Sequence, residues 1–313
     1  MAKISSEIRK DYIQDKYVII APRRGARPHD TNIKKRRVEV PVSENCVFCP
    51  INVNKEQAEH IVGDKKNWEF YVIKNKFPAV SLDNPKAYGT QEVVIETPDH
   101  NKHLDDHSEE HIKKLLDVYA KRTEVISKNP RIEYVLIFKN DGGSAGASLQ
   151  HSHSQIFATE FLPPHLFDKS QKTQSYKLKY GTCVFCDVIA KERKSPRLIW
   201  EDKNIICFAP YASIHNYEVW ILPKRHIDNV TVLNDAEKKS FAYILKRVLN
   251  AIDNLGLPYN YYFHQVINDE DQHLYMKVIP RGSVWAGVEI GSGLIINPIS
   301  PEDAASFYRE EIK

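Results

Sequence analysis

The sequence predicts an α+β protein built from two tandem units of one plan, each an antiparallel sheet with a covering helix. Three recurrences carry this. Cys46-Val-Phe-Cys49 returns as Cys183-Val-Phe-Cys186, the proline–histidine segment ending at His100 returns ending at His226, and Gln150-His151 returns as Gln272-His273. The shared words are short, but they come in one order and between similar elements, which is the mark of a duplicated unit. The divided chain reads as 1–165 and 166–313.

In the first unit, strand patterns run over Trp68 to Ile73, Gln91 to Glu96 and Tyr134 to Lys139. Between the last two, Ile112, Leu115, Leu116, Val118, Tyr119 and Val125 fall mostly on one face at helical spacing, opposite lysines and acids. The second unit offers strands over Ile205 to Ala209, Glu218 to Leu222 and Tyr259 to Val266. Its helix has a start signal in Asn234, with Glu237 three residues on as the capping-box partner.

Of the 313 residues 42% are hydrophobic, and 44 basic against 41 acidic side chains leave a net charge of +3. That balance gives no general argument for nucleic acid or for a membrane surface. The run Lys34-Lys35-Arg36-Arg37 reads as a solvated loop beside a site that handles phosphates. No stretch approaches the apolar length of a membrane span, and Met1 to Lys10 is too polar for a signal peptide. The expectation is a soluble cytoplasmic protein, in which Cys-x-x-Cys reads as metal or redox chemistry.

The downstream histidines favour metal. His100 follows Cys49 by 51 residues and His151 follows His100 by 51; in the second unit the intervals are 40, to His226, and 47, to His273. Cys46, Cys49, His100 and His151, and likewise Cys183, Cys186, His226 and His273, would each give zinc a full tetrahedral Cys₂His₂ shell. A closed shell leaves no place for an activated water, so both zinc ions are expected to be structural.

The segment Gln150-His151-Ser152-His153-Ser154-Gln155 follows the loop Asn140-Asp-Gly-Gly-Ser-Ala-Gly-Ala-Ser148 and reads as the start of a strand. Alternation puts His151, His153 and Gln155 on one face, an arrangement suited to a phosphoryl group. Neutral imidazole is an adequate nucleophile toward phosphorus, so His153 is the candidate nucleophile. With His151 pinned by metal, its direction is set. Gln155 offers an amide donor to a phosphate oxygen, and Gly142, Gly143 and Gly146 permit close backbone approach. In register, the second unit has His273-Leu-Tyr275-Met-Lys277. The ligand survives there and the nucleophile does not, so one working site per chain is expected.

These residues resemble the galactose-1-phosphate uridylyltransferase family, a duplicated branch of the histidine-triad superfamily, along nearly the whole chain. The strongest motif is His151-Ser-His153-Ser-Gln155, in which the family's second histidine becomes covalently nucleotidylated. The resemblance implies two histidine-triad-like units and the first metal set. It also implies phosphate contacts from Arg24 and Arg27 and from Asn140, Gly146 and Ser148. Asn75 and Phe77 would hold the nucleoside, and Glu289 would reach the hexose, in the family often across a dimer. Val288 stands where uridylyltransferases commonly carry tyrosine, and the second Cys-x-x-Cys leans toward a divergent branch that includes ADP-glucose phosphorylases.

The leading expectation is a transferase that moves a nucleoside monophosphate from a nucleotide-sugar through His153, exchanging UDP-hexose with hexose-1-phosphate. An ADP-glucose phosphorylase with inorganic phosphate as acceptor is the alternative. Behind it stand a nucleotide hydrolase and a non-catalytic zinc-bearing nucleotide sensor.

Overall fold

A computed structural model of the chain describes residues 5–26, 45–267 and 269–312. Strands β1 (Glu7–Lys10) and β2 (Tyr17–Ile20) form a hairpin, and helix α1 (Pro50–Val53) follows Cys49. The first half continues with β3 (Ala58–Gly63), β4 (Trp68–Lys74), β5 (Gly89–Ile95), helix α2 (Glu109–Ile126), β6 (Tyr134–Asp141) and β7 (His153–Thr159). Helices α3 (Pro164–Tyr180) and α4 (Val184–Glu192) lead into β8 (Leu198–Glu201), β9 (Ile205–Phe208), β10 (Val219–Pro223), α5 (Asp235–Asn254), β11 (Tyr259–His264) and β12 (Tyr275–Pro280). The chain closes with α6 (Gly287–Ser292), β13 (Ile295–Asn297) and α7 (Pro301–Glu311).

The two halves share one ten-stranded sheet in the order β3-β4-β5-β7-β6-β11-β12-β10-β9-β8. That order is the same five-strand unit read inward from both edges. The units join where β6 and β11 pair antiparallel, with Phe138 opposite Tyr262. Phe138 also faces Gln155, and Tyr262 faces Lys277. A pseudo-twofold axis through the central pair therefore makes Gln155 the counterpart of Lys277 and His153 the counterpart of Tyr275. Val93 faces Gln155 as Trp220 faces Lys277, which equates Val93 with Trp220 and, two residues earlier, Gln91 with Glu218.

Alternation sorts the sheet residues into two layers. On one face, α2 and α5 pack together over a single core that includes Phe70, Val94, Ile137, Ile156, Ile221, Tyr261 and Val278. Asn234 accepts from the Glu237 backbone while Glu237 accepts from Asn234, closing the capping box foreseen for α5. On α2 the apolar stripe is buried except for Val125, which faces solvent. The opposite face carries two smaller clusters, each beneath a Cys-x-x-Cys segment: Phe48, Tyr71, Ile73 and Val93 in the first half, Phe185, Phe208, Trp220 and Tyr275 in the second. Among the described residues no helix is long and apolar enough to cross a membrane.

Candidate active site and metal centres

Cys46, Cys49, His100 and His151 converge, as do Cys183, Cys186, His226 and His273, with all ligand atoms of each set within 4.8 Å of one another. In the first set, Cys46 Sγ lies 3.6 Å from His151 Nδ1, and Cys49 Sγ lies 3.4 Å from His100 Nδ1 and 3.7 Å from His151 Nδ1. In the second, Cys186 Sγ lies 3.5 Å from His226 Nδ1 and 3.8 Å from His273 Nδ1. Tetrahedral zinc with bonds of roughly 2.3 Å to sulfur and 2.0 Å to nitrogen requires an S···N edge of about 3.6 Å. Both sets fit. The far ring nitrogens complete the argument: Nε2 of His151, His226 and His273 lie 2.7, 2.8 and 2.8 Å from the carbonyls of Thr97, Glu270 and Pro223. A carbonyl can only accept, so each Nε2 carries the proton and each Nδ1 turns a lone pair toward the thiols.

The same reasoning fixes the tautomer of His153. Its Nδ1 lies 2.8 Å from the His151 carbonyl, so Nδ1 donates and Nε2 keeps the free lone pair. Burial pushes this imidazole below the usual histidine range, and the Lys139 ammonium adds to the shift. The neutral, nucleophilic form is therefore favoured. Phe48 packs on the ring at 5.0 Å between centroids.

His153 and Gln155 line a cavity of about 360 Å³ whose walls include Phe48, Ile73, Asn75, Phe77 and Val93. Gln155 Oε1 accepts from Gln91 Nε2 at 2.8 Å and from Asn75 Nδ2 at 3.4 Å, which turns the amide NH₂ end of Gln155 toward a ligand. A second, polar cavity of about 140 Å³ also touches His153, between the loop residues Asn140, Gly142, Gly143 and Ser148 and the side chains of His103 and Lys139. Asn140 Oδ1 accepts from Asn260 Nδ2 at 2.7 Å, so a residue of the second half orients this wall. Gly142 has φ of 88°, and a Cβ there would stand 2.9 Å from the Pro258 side chain; only glycine makes this turn.

Arg24, on a 3-10 turn after β2, and Glu289, on α6, lie apart from those cavities. The parallel pairing of β13 with β2 holds their segments together, and Glu289 Oε2 caps α6 by accepting from Ala286 N at 2.9 Å. Arg27 and the basic run lie outside the described residues. The sequence reading passed over Gln91, Asn260, Lys139 and Glu96. Nothing local marks the first two, and the last two are charged residues within strand patterns.

In the second half the ligand space is filled. Trp220, in place of Val93, stacks on Tyr275 at 4.8 Å, and Lys169 of α3 reaches the Tyr275 hydroxyl and lies over the Phe185 ring. Glu218 and Lys277 replace the Gln91–Gln155 pair, 3.4 Å apart. An open groove of about 730 Å³ lies over the second metal set, but it holds no counterpart of the nucleophile.

Comparison with known proteins gives the family and the fold. The family described as galactose-1-phosphate uridyl transferase, N-terminal domain, matches residues 1–163. The chain belongs to that family. It is 34% identical to ADP-glucose phosphorylase of Arabidopsis thaliana, across 98% of this chain and 93% of the relative. It is 30% identical to galactose-1-phosphate uridylyltransferase of Thermotoga maritima, across 97% and 98%. The crystal structure of the Arabidopsis thaliana ADP-glucose phosphorylase with bound ADP-glucose superposes with a TM-score of 0.86 at 32% identity, covering 98% of this chain and 99% of that one. Membership makes the chain a transferase, and nucleotidyl transfer its chemistry.

Proposed function

We propose that His153 carries the nucleotide between donor and acceptor. Its Nε2 lone pair attacks the α-phosphorus of a nucleotide-sugar in line, an N–P bond forms, and the P–O bond to sugar-1-phosphate breaks with its electrons leaving on that phosphate. An acceptor phosphate then attacks the same phosphorus, and the imidazole departs neutral. The carrying observation is the free Nε2 of His153 at a cavity shared with the donor end of Gln155. Asn75 and Phe77 would flank the nucleoside, and Asn140, Gly146 and Ser148 the phosphates. Positioning and charge neutralisation supply the rate, since this chemistry needs little else from a protein.

For the donor, the likeness to ADP-glucose phosphorylase and Val288 in the tail favour an ADP-hexose, with inorganic phosphate as acceptor. Exchange between UDP-hexose and hexose-1-phosphate is the second reading, favoured by the Thermotoga maritima relative. Both Cys₂His₂ sets are read as structural zinc; when bound, the metal fixes His151 and with it the entry of β7. A homodimer completes the assignment: Val284, Val288 and Ile290 expose apolar surface around Glu289, which would reach the hexose in the partner's site, while Arg24 and Arg27 would contact phosphates. Reduced thiols suit a cytoplasmic setting.

Intact mass spectrometry after separate incubation with ADP-glucose, UDP-glucose and UDP-galactose tests the reading. The expected result is an acid-labile adenylyl or uridylyl gain that is absent in His153→Ala. Full transfer by that variant would overturn it.

A further inference from the structure

Lys139 and Glu96 are buried to 1% and 0% exposure beside the nucleophile's strand; Glu96 lines neither cavity, and Lys139 lines only the smaller polar one, not the cavity that holds Gln155. The Lys139 ammonium has three protons and three acceptors: Glu96 Oε2 at 2.7 Å, Ser152 Oγ at 3.0 Å and the His153 carbonyl at 3.1 Å. Ser152 donates in turn to Glu96 Oε2 at 2.6 Å, and the Glu96 amide donates to the Ser152 carbonyl at 3.1 Å. Thr97, the next residue, receives His151 Nε2. Three consecutive residues, His151 to His153, are thus tied to one two-residue segment and one lysine.

The second half separates this arrangement from folding. By the pseudo-twofold register Lys139 corresponds to Phe263, and Glu96, just past the paired residues of β5, falls at the uncharged Leu222–Pro223 end of β10. That unit keeps its sheet and its metal set without the ion pair. The clamp is present where the nucleophile is present and absent where it is lost. We propose that Lys139, paired with Glu96, is a positioning residue that holds the His153 backbone so that Nε2 points along the line of attack. This rests on the nucleotidyl-transfer reading above.

The test compares the metal-loaded full-length protein with Lys139→Met and with Lys139→Met/Glu96→Gln, which removes both charges of the pair and leaves Asp141, 3.9 Å from the Lys139 ammonium, with its contact to His103 at 3.2 Å. Single-turnover adduct formation is followed by intact mass, and the dissociation constants of ADP-glucose and UDP-glucose by calorimetry. The double variant is expected to form the adduct about a hundredfold more slowly, the scale of a misplacement of order 1 Å. Its nucleotide-sugar dissociation constant should stay within about threefold of wild type. Hydrogen exchange over segment 149–157 should quicken in the variant. Adduct formation at the wild-type rate, or a rate lost in step with affinity, would overturn the proposal. A wild-type chain that forms no adduct with any nucleotide-sugar defeats the transfer reading instead. In that event the exchange measurement alone decides the clamp, and unchanged protection of 149–157 refutes it.

Discussion

Gln155→Glu should slow transfer far more than Gln155→Ala, although glutamate is nearly isosteric. In the native site Gln91 and Asn75 both donate to Gln155 Oε1, so the NH₂ group faces the phosphate. Alanine removes one hydrogen bond to a charged group, worth about 1.5–3 kcal/mol, or roughly 10–150-fold in rate. Glutamate keeps both donors on one oxygen and turns the other, charged, toward the phosphate oxygens. At about 4 Å and an effective dielectric near 20 the repulsion adds about 4 kcal/mol. The total of about 6 kcal/mol corresponds to a loss on the order of 10⁴-fold. Quenched single-turnover measurements with the preferred nucleotide-sugar, alongside melting curves to confirm folding, give both rates. If the glutamate variant is as fast as the alanine variant, the amide nitrogen does not face the transferred phosphate and the orientation argument fails.

Three further outcomes follow from the geometry. Metal analysis of the purified chain should give two equivalents, falling to one in Cys49→Ala; an unchanged content would mean that the first set holds no ion. Arg122→Met strands the Glu92 carboxylate, which now receives both Arg122 Nε and Nη2 at 2.8 and 2.6 Å in the sheet interior. It should cost about 3–5 kcal/mol in denaturant unfolding, with most of the loss recovered in Arg122→Met/Glu92→Leu. His107 is held down to about 4, chiefly by burial and then by the charge of His111, on which it stacks at 3.9 Å. Because the folded value is depressed, its contribution is present above the unfolded value near 6.5 and is lost as pH falls toward 4. His107→Phe should flatten the melting temperature across that window, and an unaltered pH slope would exclude the assignment.

Much of this architecture was legible because its signals are local or repeated. The Cys-x-x-Cys words, the histidines after them and the Asn234–Glu237 box each announce themselves within a few residues or by recurrence. The alternation around His153 correctly separated Gln155, on the cavity side, from Ile156, in the helix-side core. What escaped depends on pairing across the sheet. Lys139 and Glu96 are far apart in sequence, and a lysine near the end of a strand pattern looks like a solvated one. The union of both sheets at β6 and β11, and the filling of the second site by Trp220 and Lys169, need registers that no single segment encodes. The joining of the Arg24 and Glu289 segments depends likewise on a parallel pairing between the two ends of the chain.

The seam between β6 and β11 makes the chain, in effect, a dimer of like subunits sewn into one polypeptide. Cut between α3 and α4, the front fragment would bare the full edge of β6 to any other strand and would lose the Asn260 amide that orients Asn140. Fusion also relaxes symmetry. Once the two copies are covalently bound, one can surrender its chemistry and persist as buttress to the other, as tryptophan and tyrosine in the place of valine and histidine record.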